Sequence, residues 1–253
     1  MDGVKVTIVI PTYNEAENLP GLVSALFSLP TPDLRLLVVD DHSMDGTGQL
    51  ADDMAKESGG RLSVLHRPGK LGLGSAYLDG FRQALADGAQ AVGQMDADFS
   101  HPPELVVALL DQLRNCHLAM GSRYVPGGSV DRHWPLWRKG LSAFGNIYSR
   151  AALNLPIQDA TGGYRLWRSA ALQRMPLDGI RSNGYAFQVE MVYLAHRLGF
   201  TIREVPFYFA DRVQGGSKMS FAIQVEAALR VWQMRMAYRN LRPVVQPGEL
   251  ESW

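Results

Sequence analysis

Along the first 120 residues, apolar and polar positions switch repeatedly between two periods. Short apolar, β-branched runs at 4–10, 34–39, 62–66, 91–95 and 117–121 each give way to residues such as Pro, Asp, Gly or Ser, the pattern of buried parallel strands entering loops. Between them lie longer stretches with apolar residues at helical spacing. One runs through Leu19, Leu22, Val23 and Leu26, with Thr12 or Asn14 as its cap and Glu15 and Glu17 in its first turn. Others cover 47–58 and 70–86, and a further helix opens at Pro102-Pro103-Glu104, where Pro is tolerated in a first turn. Strand alternating with helix predicts an α/β fold: a mostly parallel central sheet with helices on both faces. The acidic residues collect where strands stop, at Asp40-Asp41 and at Asp96 and Asp98, the edge where open α/β sheets bind their ligands.

From residue 125 the texture changes. After the Pro126-Gly127-Gly128 loop, Trp134-Pro-Leu-Trp137-Arg138-Lys139 introduces a helix on which Leu141, Phe144, Ile147 or Tyr148, and Ala151 recur at helical spacing. Two tryptophans beside two cations suit a membrane interface, and they equally suit a helix packed on the sheet with its Trp side chains in the core. Asp159 and Arg165 bracket a turn rich in hydrogen-bonding groups and read either as a structural ion pair or as substrate contacts. A helix over 185–198 carries Glu190, for which a buried partner is the expectation over chemistry. A strand over 201–209, a glycine-containing basic loop over 212–218 and a helix over 221–241 follow. Arg235, Arg239 and Arg242 form a basic stripe on that helix, facing solvent or anionic lipid. Residues 1–242 read as one domain, with 243–253 a loose tail.

Composition narrows the function classes. With 25 basic and 25 acidic residues the net charge is zero, which argues against a general nucleic-acid binder. Residues 1–120 hold 8 Lys+Arg and 16 Asp+Glu, so the first part is net −8 and the remainder +8. That split reads either as metal chemistry in the first part with anion recognition in the second, or as two unrelated surfaces. Cys116 is the only cysteine, which excludes an internal disulfide and reads as a core residue in a reducing compartment. Met1-Asp2-Gly3 lacks the build of a signal peptide, and no stretch approaches 18 uninterrupted apolar residues. The expectation is a cytoplasmic chain that neither spans a membrane nor is exported. His42, His66, His101 and His117 show no zinc-ligand spacing.

Two motifs carry candidate chemistry. Asp96 and Asp98 lie two apart just past an apolar run, so as part of a strand both carboxylates leave on one face. Hard oxygen ligands so placed suit Mg²⁺ or Mn²⁺, whose shell is commonly completed by substrate phosphates. The pair alone is a weak signal, because turns are rich in Asp, and Asp45-Gly46 also reads as a plain turn. Lys70-Leu-Gly72-Leu-Gly74 opens a helix and reads as a phosphate loop, with Lys70 in reach of the anion. A dinucleotide fingerprint would follow the first strand, and this loop follows the third, so NAD binding is rejected.

Taken in order, Pro11-Thr-Tyr-Asn-Glu15, Val39-Asp40-Asp41-x-Ser43-x-Asp45-Gly46-Thr47, Lys70-Leu-Gly-Leu-Gly-x-Ala-Tyr77, Met95-Asp-Ala-Asp-x-Ser-His-x-Pro103, Gly121-Ser-Arg-Tyr124 and Arg212-x-x-Gly-Gly-Ser-Lys218 resemble the family 2 glycosyltransferases of the GT-A fold. The resemblance covers residues 4–240 and is strongest to the dolichyl-phosphate (polyprenyl-phosphate) mannosyltransferases. It implies that Pro11, Tyr13, Glu15, Val39 and Asp41 hold the nucleoside of GDP-mannose. Asp96, Ala97 and Asp98 match the metal and diphosphate site, and Arg123, Arg212 and Lys218 match the cations around the phosphates. Ser100 stands where some members have a Gln metal ligand, and its shorter hydroxyl ranks it below the two Asp residues.

The implied reaction is inverting transfer of mannose to dolichyl or polyprenyl phosphate. A lipid phosphate has a second pKa near ~6 and needs no general base, which accounts for the lack of an obvious one. It does need cations, for which Arg123 and Arg138 are the candidates. Asp98, Arg123, Arg212 and Lys218 are therefore the expected catalytic set. Expected partners are the membrane surface and, as an alternative route of attachment, a membrane-anchoring protein. Two rivals stand beside this reading: transfer of another sugar from a different nucleotide, and a nucleotide-sugar-binding regulatory subunit without activity.

Overall fold

The computed structural model describes residues 3–211, 221–246 and 249–250, and the side chains of all of these except 221–228. Arg212, Lys218 and the basic loop around them lie outside the described residues.

The first strand, β1 (Val6–Thr12), is an interior strand, third in the order of a seven-stranded sheet, and its apolar side chains are accordingly buried on both faces. On one side it pairs in parallel with β2 (Leu34–Asp40), and β2 with β3 (Leu62–His66); on the other it pairs in parallel with β4 (Ala91–Gln94). The order therefore reverses at β1, and the crevice beyond its carboxyl end is the ligand position that this topology provides. Pro11, read from sequence as ending the strand, is within it, aligned with Val39.

Helices α1 (Leu19–Phe27), α2 (Thr47–Glu57) and α4 (Leu105–Leu113) cover the face that carries Val6, Ile8 and Ile10. Helices α3 (Leu73–Ala86), α6 (Ser169–Arg174) and α7 (Gly184–Arg197) cover the face that carries Val9 and Val39. Residues Leu19, Leu22, Val23 and Leu26 form the inner face of α1 as their spacing predicts. The helix nevertheless starts at Leu19, with Pro20 in its first turn and no side-chain cap. Thr12 and Asn14, the expected caps, are bonded to the β2–α2 loop instead.

Beyond β4 the mostly parallel sheet takes in one antiparallel strand. β7 (Arg165–Arg168) runs antiparallel between β4 and β5 (Leu118–Ser122), and β8 (Ile202–Pro206) closes the far edge parallel to β5. Four residues with an Arg at each end do not read as a buried strand, yet all four are buried. Trp167 donates through Nε1 to Gln94 (2.8 Å), and Arg168 donates to the carbonyls of Leu113, Arg114 and Cys116 at the end of α4, where a cation offsets the helix dipole. The predicted 201–209 strand is divided: after β8, Tyr208–Phe209 forms β9, which pairs with β6 (Ser129–Val130) in a separate two-stranded sheet.

Helix α5 (Leu136–Leu153) packs against α8 (Phe221–Ala237). The two tryptophans at its entrance part company. Trp134 is 6% exposed and packs edge-on against Phe209, whereas Trp137 is 65% exposed. Leu136, Phe144 and Ile147 are also exposed, so the apolar stripe of α5 faces outward and its buried positions are Asn146, Ser149 and Leu153. α8 exposes Leu229, Trp232 and Met236 and ends at Ala237, so Arg239 and Arg242 do not continue a stripe on it. Val245 is buried and Val244 N donates to Leu198 O (2.9 Å), which docks residues 243–246 that the sequence reads as loose. Among the described residues no helix is long and apolar enough to cross a membrane.

Candidate active site

At the carboxyl edge of β1 and β2 the two following loops are stitched together. The Thr12 hydroxyl donates to Asp40 Oδ1 (3.0 Å), and Ser43 donates to the same carboxylate through both its amide and its hydroxyl. Asn14 N donates to Ser43 Oγ (2.9 Å), and Asn14 Oδ1 accepts Met44 N (2.9 Å). Asn14 and His42 both have left-handed backbone, a cost held in place by these reciprocal bonds. Asp45 makes the turn that its sequence suggests, accepting Thr47 N, Thr47 Oγ1 and Ala16 N. Burial works against its charged form, but those donors hold its carboxyl below the usual range. Glu15 N donates to Thr47 Oγ1, and its carboxylate accepts Asn18 Nδ2 (2.9 Å).

Asp41 is already engaged on both oxygens. Oδ1 pairs with Arg67, whose guanidinium also reaches Asp79 (3.1 Å) and Ser75 Oγ (2.7 Å), and Oδ2 accepts Gly72 N (2.9 Å). Gly74 N donates to Asn183 Oδ1 (2.8 Å). The two glycine amides are thus spent on protein carbonyl and carboxylate groups, which corrects the phosphate-loop reading. Gly72 is glycine for a nearer reason: its φ is +100°, and a Cβ there would run into the Asn183 side chain. Lys70 places its ammonium 3.7 Å from the centre of the Tyr13 ring, a cation–π contact at the mouth of the crevice.

The Asp96–Asp98 segment leaves β4 in a strained turn, with Phe99 in left-handed backbone and its ring against Gly21, where a Cβ would come within 3.3 Å. Asp96 N donates to His101 Nδ1 (3.0 Å), and the His101 ring stacks on Tyr164 (4.7 Å). That bond requires the neutral tautomer with its proton on Nε2. Asp96 Oδ1 accepts the Tyr77 hydroxyl (2.9 Å), while Asp98 Oδ1 accepts both Ser100 N (3.1 Å) and Ser100 Oγ (2.6 Å). Burial, together with Asp96, pushes the Tyr77 phenol well above its ordinary range, so it stays a donor.

Does this donor set fit Mg²⁺ or Mn²⁺? Two hard carboxylates two residues apart suit such an ion, and among the described residues no third His, Cys, Asp or Glu joins them in a metal-holding group. That composition fits a metal whose remaining positions go to phosphate and water, and it does not fit an all-protein cage. The Ser100 hydroxyl is bonded to Asp98 and supports that carboxylate.

Arg123, at the end of β5, is buried against Asp159 in a bidentate pair, and its Nη2 also donates to Thr161 Oγ1 (2.7 Å). Asp159 is held in turn from above and below: its amide and that of Gln158 donate to Glu204, while Asn146 of α5 donates to Gln158 O and accepts Ala160 N. The ion pair is therefore Arg123–Asp159 and not Asp159–Arg165. Arg165 is fully buried, and among the described residues its Nε and Nη1 have no hydrogen-bond partner. Burial pushes its guanidinium down to about 9, against the upward pull of Asp159 and Tyr77. Arg138, in the first turn of α5, pairs with Asp211 (3.0 Å) and lies 3.8 Å over the Trp134 ring. Glu190 accepts Ser182 N and the Tyr238 hydroxyl, the buried-partner role expected of it.

One edge thus gathers Pro11, Tyr13, Glu15, Val39, Asp41, Asp96, Ala97 and Asp98 from the ends of three neighbouring strands. Sequence reasoning gave no role to Arg67, Tyr77, Asn146 and Asn183, whose parts depend on contacts far apart in the chain.

Comparison with known proteins accords with this architecture. The sequence model for Glycosyl transferase family 2 matches residues 7–175, and the chain belongs to that family of glycosyltransferases. It is 45% identical over 242 residues to the polyprenol monophosphomannose synthase of Mycolicibacterium smegmatis, covering 94% of this chain and 91% of that one. It is 45% identical over 241 residues to the undecaprenyl-phosphate mannosyltransferase of Micrococcus luteus, covering 94% and 98%. A crystal structure of glucosyl-3-phosphoglycerate synthase from Mycobacterium tuberculosis with Mn²⁺, UDP and glucosyl-3-phosphoglycerate superposes with a TM-score of 0.64 at 18% identity, over 96% of this chain and 82% of that one. The same enzyme with Mn²⁺, UDP-glucose and phosphoglyceric acid gives a TM-score of 0.65. At that identity the likeness concerns the fold, which is GT-A.

Proposed function

We propose that this glycosyltransferase moves mannose from GDP-mannose to a polyprenyl phosphate, with inversion at the anomeric carbon and with Mg²⁺ or Mn²⁺ at Asp96 and Asp98. The observation that carries the reading is the pair of carboxylates leaving β4 beside the β1–β2 crevice, in a chain 45% identical to two enzymes whose names join mannose to a polyprenyl phosphate. Pro11, Tyr13, Glu15, Val39 and Asp41 line the nucleoside side; Asp41 does so as part of the Arg67 and Gly72 network. In the transfer, a phosphate oxygen of the lipid attacks C1 of the sugar. The C1–O bond to GDP breaks, and its electron pair leaves on the terminal phosphate of GDP. An α-linked donor then gives a β-linked lipid phosphosugar.

A divalent cation supplies stabilisation of the charge that gathers on the departing diphosphate. Arg212 and Lys218 belong to the same role by resemblance, and Arg123 and Arg138 are assigned to the acceptor phosphate. The acceptor is a lipid, so the chain works at a membrane surface, which we place on the cytoplasmic face. The outward apolar residues of α5 and α8 support direct peripheral attachment, and a membrane-anchoring partner is the other route.

The test is transfer of radiolabel to polyprenyl phosphate by the purified chain, with GDP-mannose against UDP-glucose and with and without EDTA. Metal-dependent labelling from GDP-mannose is expected, and Asp98→Ala is expected to abolish it. Labelling from UDP-glucose alone would reassign the donor. No turnover with any donor would favour a nucleotide-sugar-binding subunit.

A further inference from the structure

Helix α3 begins and continues in contact with both sides of the crevice. At its start, Gly72 N donates to Asp41 Oδ2 (2.9 Å), and five residues on, Tyr77 donates its hydroxyl to Asp96 Oδ1 (2.9 Å). Five residues of helix advance about 7.5 Å. Tyr77 has little freedom to choose another partner. It is fully buried, with its ring stacked at 6.0 Å on Phe187 and at 6.0 Å on Phe81. A hydroxyl buried in that setting costs stability unless it is bonded, and a side-chain oxygen of Asp96 is where its bond goes.

We propose that Tyr77 is a positioning residue for Asp96: its hydroxyl fixes the carboxylate rotamer by claiming Oδ1, and so leaves Oδ2 to meet a divalent cation. The idea rests on the reading of Asp96 as a metal ligand given above. Donors in the layer behind a ligating carboxylate typically change metal affinity about 10–100-fold when removed. Through the same helix the carboxylate is tied to Asp41, so the metal side and the nucleoside side of the crevice share one rigid support.

The experiment is Mn²⁺ binding followed by EPR, with GDP saturating, on the wild-type chain and on Tyr77→Phe. The substitution keeps the ring and its stacking and removes only the hydroxyl. The expected result is a Kd for Mn²⁺ raised about tenfold, with an altered Mn²⁺ EPR line shape. Phe187→Leu serves as the packing control: it is expected to lower the melting temperature and leave the Kd within twofold. A Kd unchanged in folded Tyr77→Phe would overturn the proposal, and so would a Tyr77→Phe chain that fails to fold, because the hydroxyl would then be structural. Wild-type chain that binds no Mn²⁺ with GDP would instead remove the metal reading on which this inference stands.

Discussion

Arg123 and Asp159 form a two-pronged ion pair with almost no exposed surface: Nε to Oδ2 at 2.8 Å and Nη2 to Oδ1 at 2.7 Å, with Arg123 N adding a third donor to Oδ2 at 3.0 Å. Burial alone would raise the Asp159 carboxyl and lower the Arg123 guanidinium. Each partner reverses the shift of the other, so Asp159 lies below the usual carboxylate range and Arg123 above its own. Such a pair fixes the loop after α5 relative to the end of β5. A guanidinium expected to meet an acceptor phosphate is thereby held in a defined place before the acceptor arrives.

Asp159→Asn is expected to destabilise the chain by about 3–5 kcal/mol, because it leaves a buried guanidinium without its counter-charge. The pH dependence follows from the sign of the shift. The folded value of Asp159 is depressed, so its contribution is fully present above the ordinary carboxyl value near ~3.9 and is lost as pH falls through the folded value. Urea unfolding from pH 7 to pH 3 checks both: the wild-type chain loses stability toward the acid end, and the difference from Asp159→Asn narrows there.

The outward residues of α5 give a second prediction. Trp137, Phe144 and Ile147 recur at i, i+7 and i+10 on one face of that helix and are exposed. Burying one aromatic side chain is worth about 1.5–3 kcal/mol, so removing two should weaken partition onto a bilayer at least tenfold. Trp137→Ser with Phe144→Ser is expected to abolish flotation with vesicles containing anionic lipid. Turnover of a short, water-soluble prenyl phosphate should stay within twofold of wild type. Loss of that turnover as well would mean that the face serves the fold.

Cys116 supplies a third. It is buried, and burial pushes its thiol up to about 12, while its Sγ donates to Gln112 O. The thiolate is the reactive form, so the native chain should be inert to a thiol reagent at pH 8 and should release one equivalent only after denaturation. Fast labelling of the folded chain would contradict the buried placement.

The strands of the first half were legible because their signals are local. Apolar runs such as 34–39 and 62–66 give their strands within a residue, and Leu19, Leu22, Val23 and Leu26 give the inner face of α1 from spacing alone. What sequence could not give depends on distant partners. The glycines at 72 and 74 look like a phosphate loop until Asp41 and Asn183 are seen on their amides. β7 escaped because a strand framed by Arg165 and Arg168 hides its burial, and only the end of α4 explains how Arg168 is satisfied. Which way α5 faces stayed open in the sequence for a similar reason: its inner positions, Asn146 and Ser149, are polar because Asn146 must hold the 158–160 loop, and the apolar residues are left outside.

Arg165 is a costly residue for the fold to keep. It is fully buried, and among the described residues its Nε and Nη1 find no hydrogen-bond partner and its Nη2 makes a single long contact, 3.4 Å to Ala160 O. Each buried donor left unsatisfied costs about 1–3 kcal/mol. The nearest carboxylate by charge, Asp159, is already neutralised by Arg123. A guanidinium pushed down to about 9 is still a cation at neutral pH, and its field reaches Tyr77, the partner of Asp96, as well as Asp159. A buried donor set this poorly satisfied in a folded chain points to a role beyond stability. Arg165→Met is therefore expected to leave the chain as stable as wild type or to stabilise it by about 1–3 kcal/mol in urea unfolding, while lowering transfer at least tenfold. A variant that is instead less stable by a similar amount would show that Arg165 supports the Asp159 loop, and that its charge serves the fold before the chemistry.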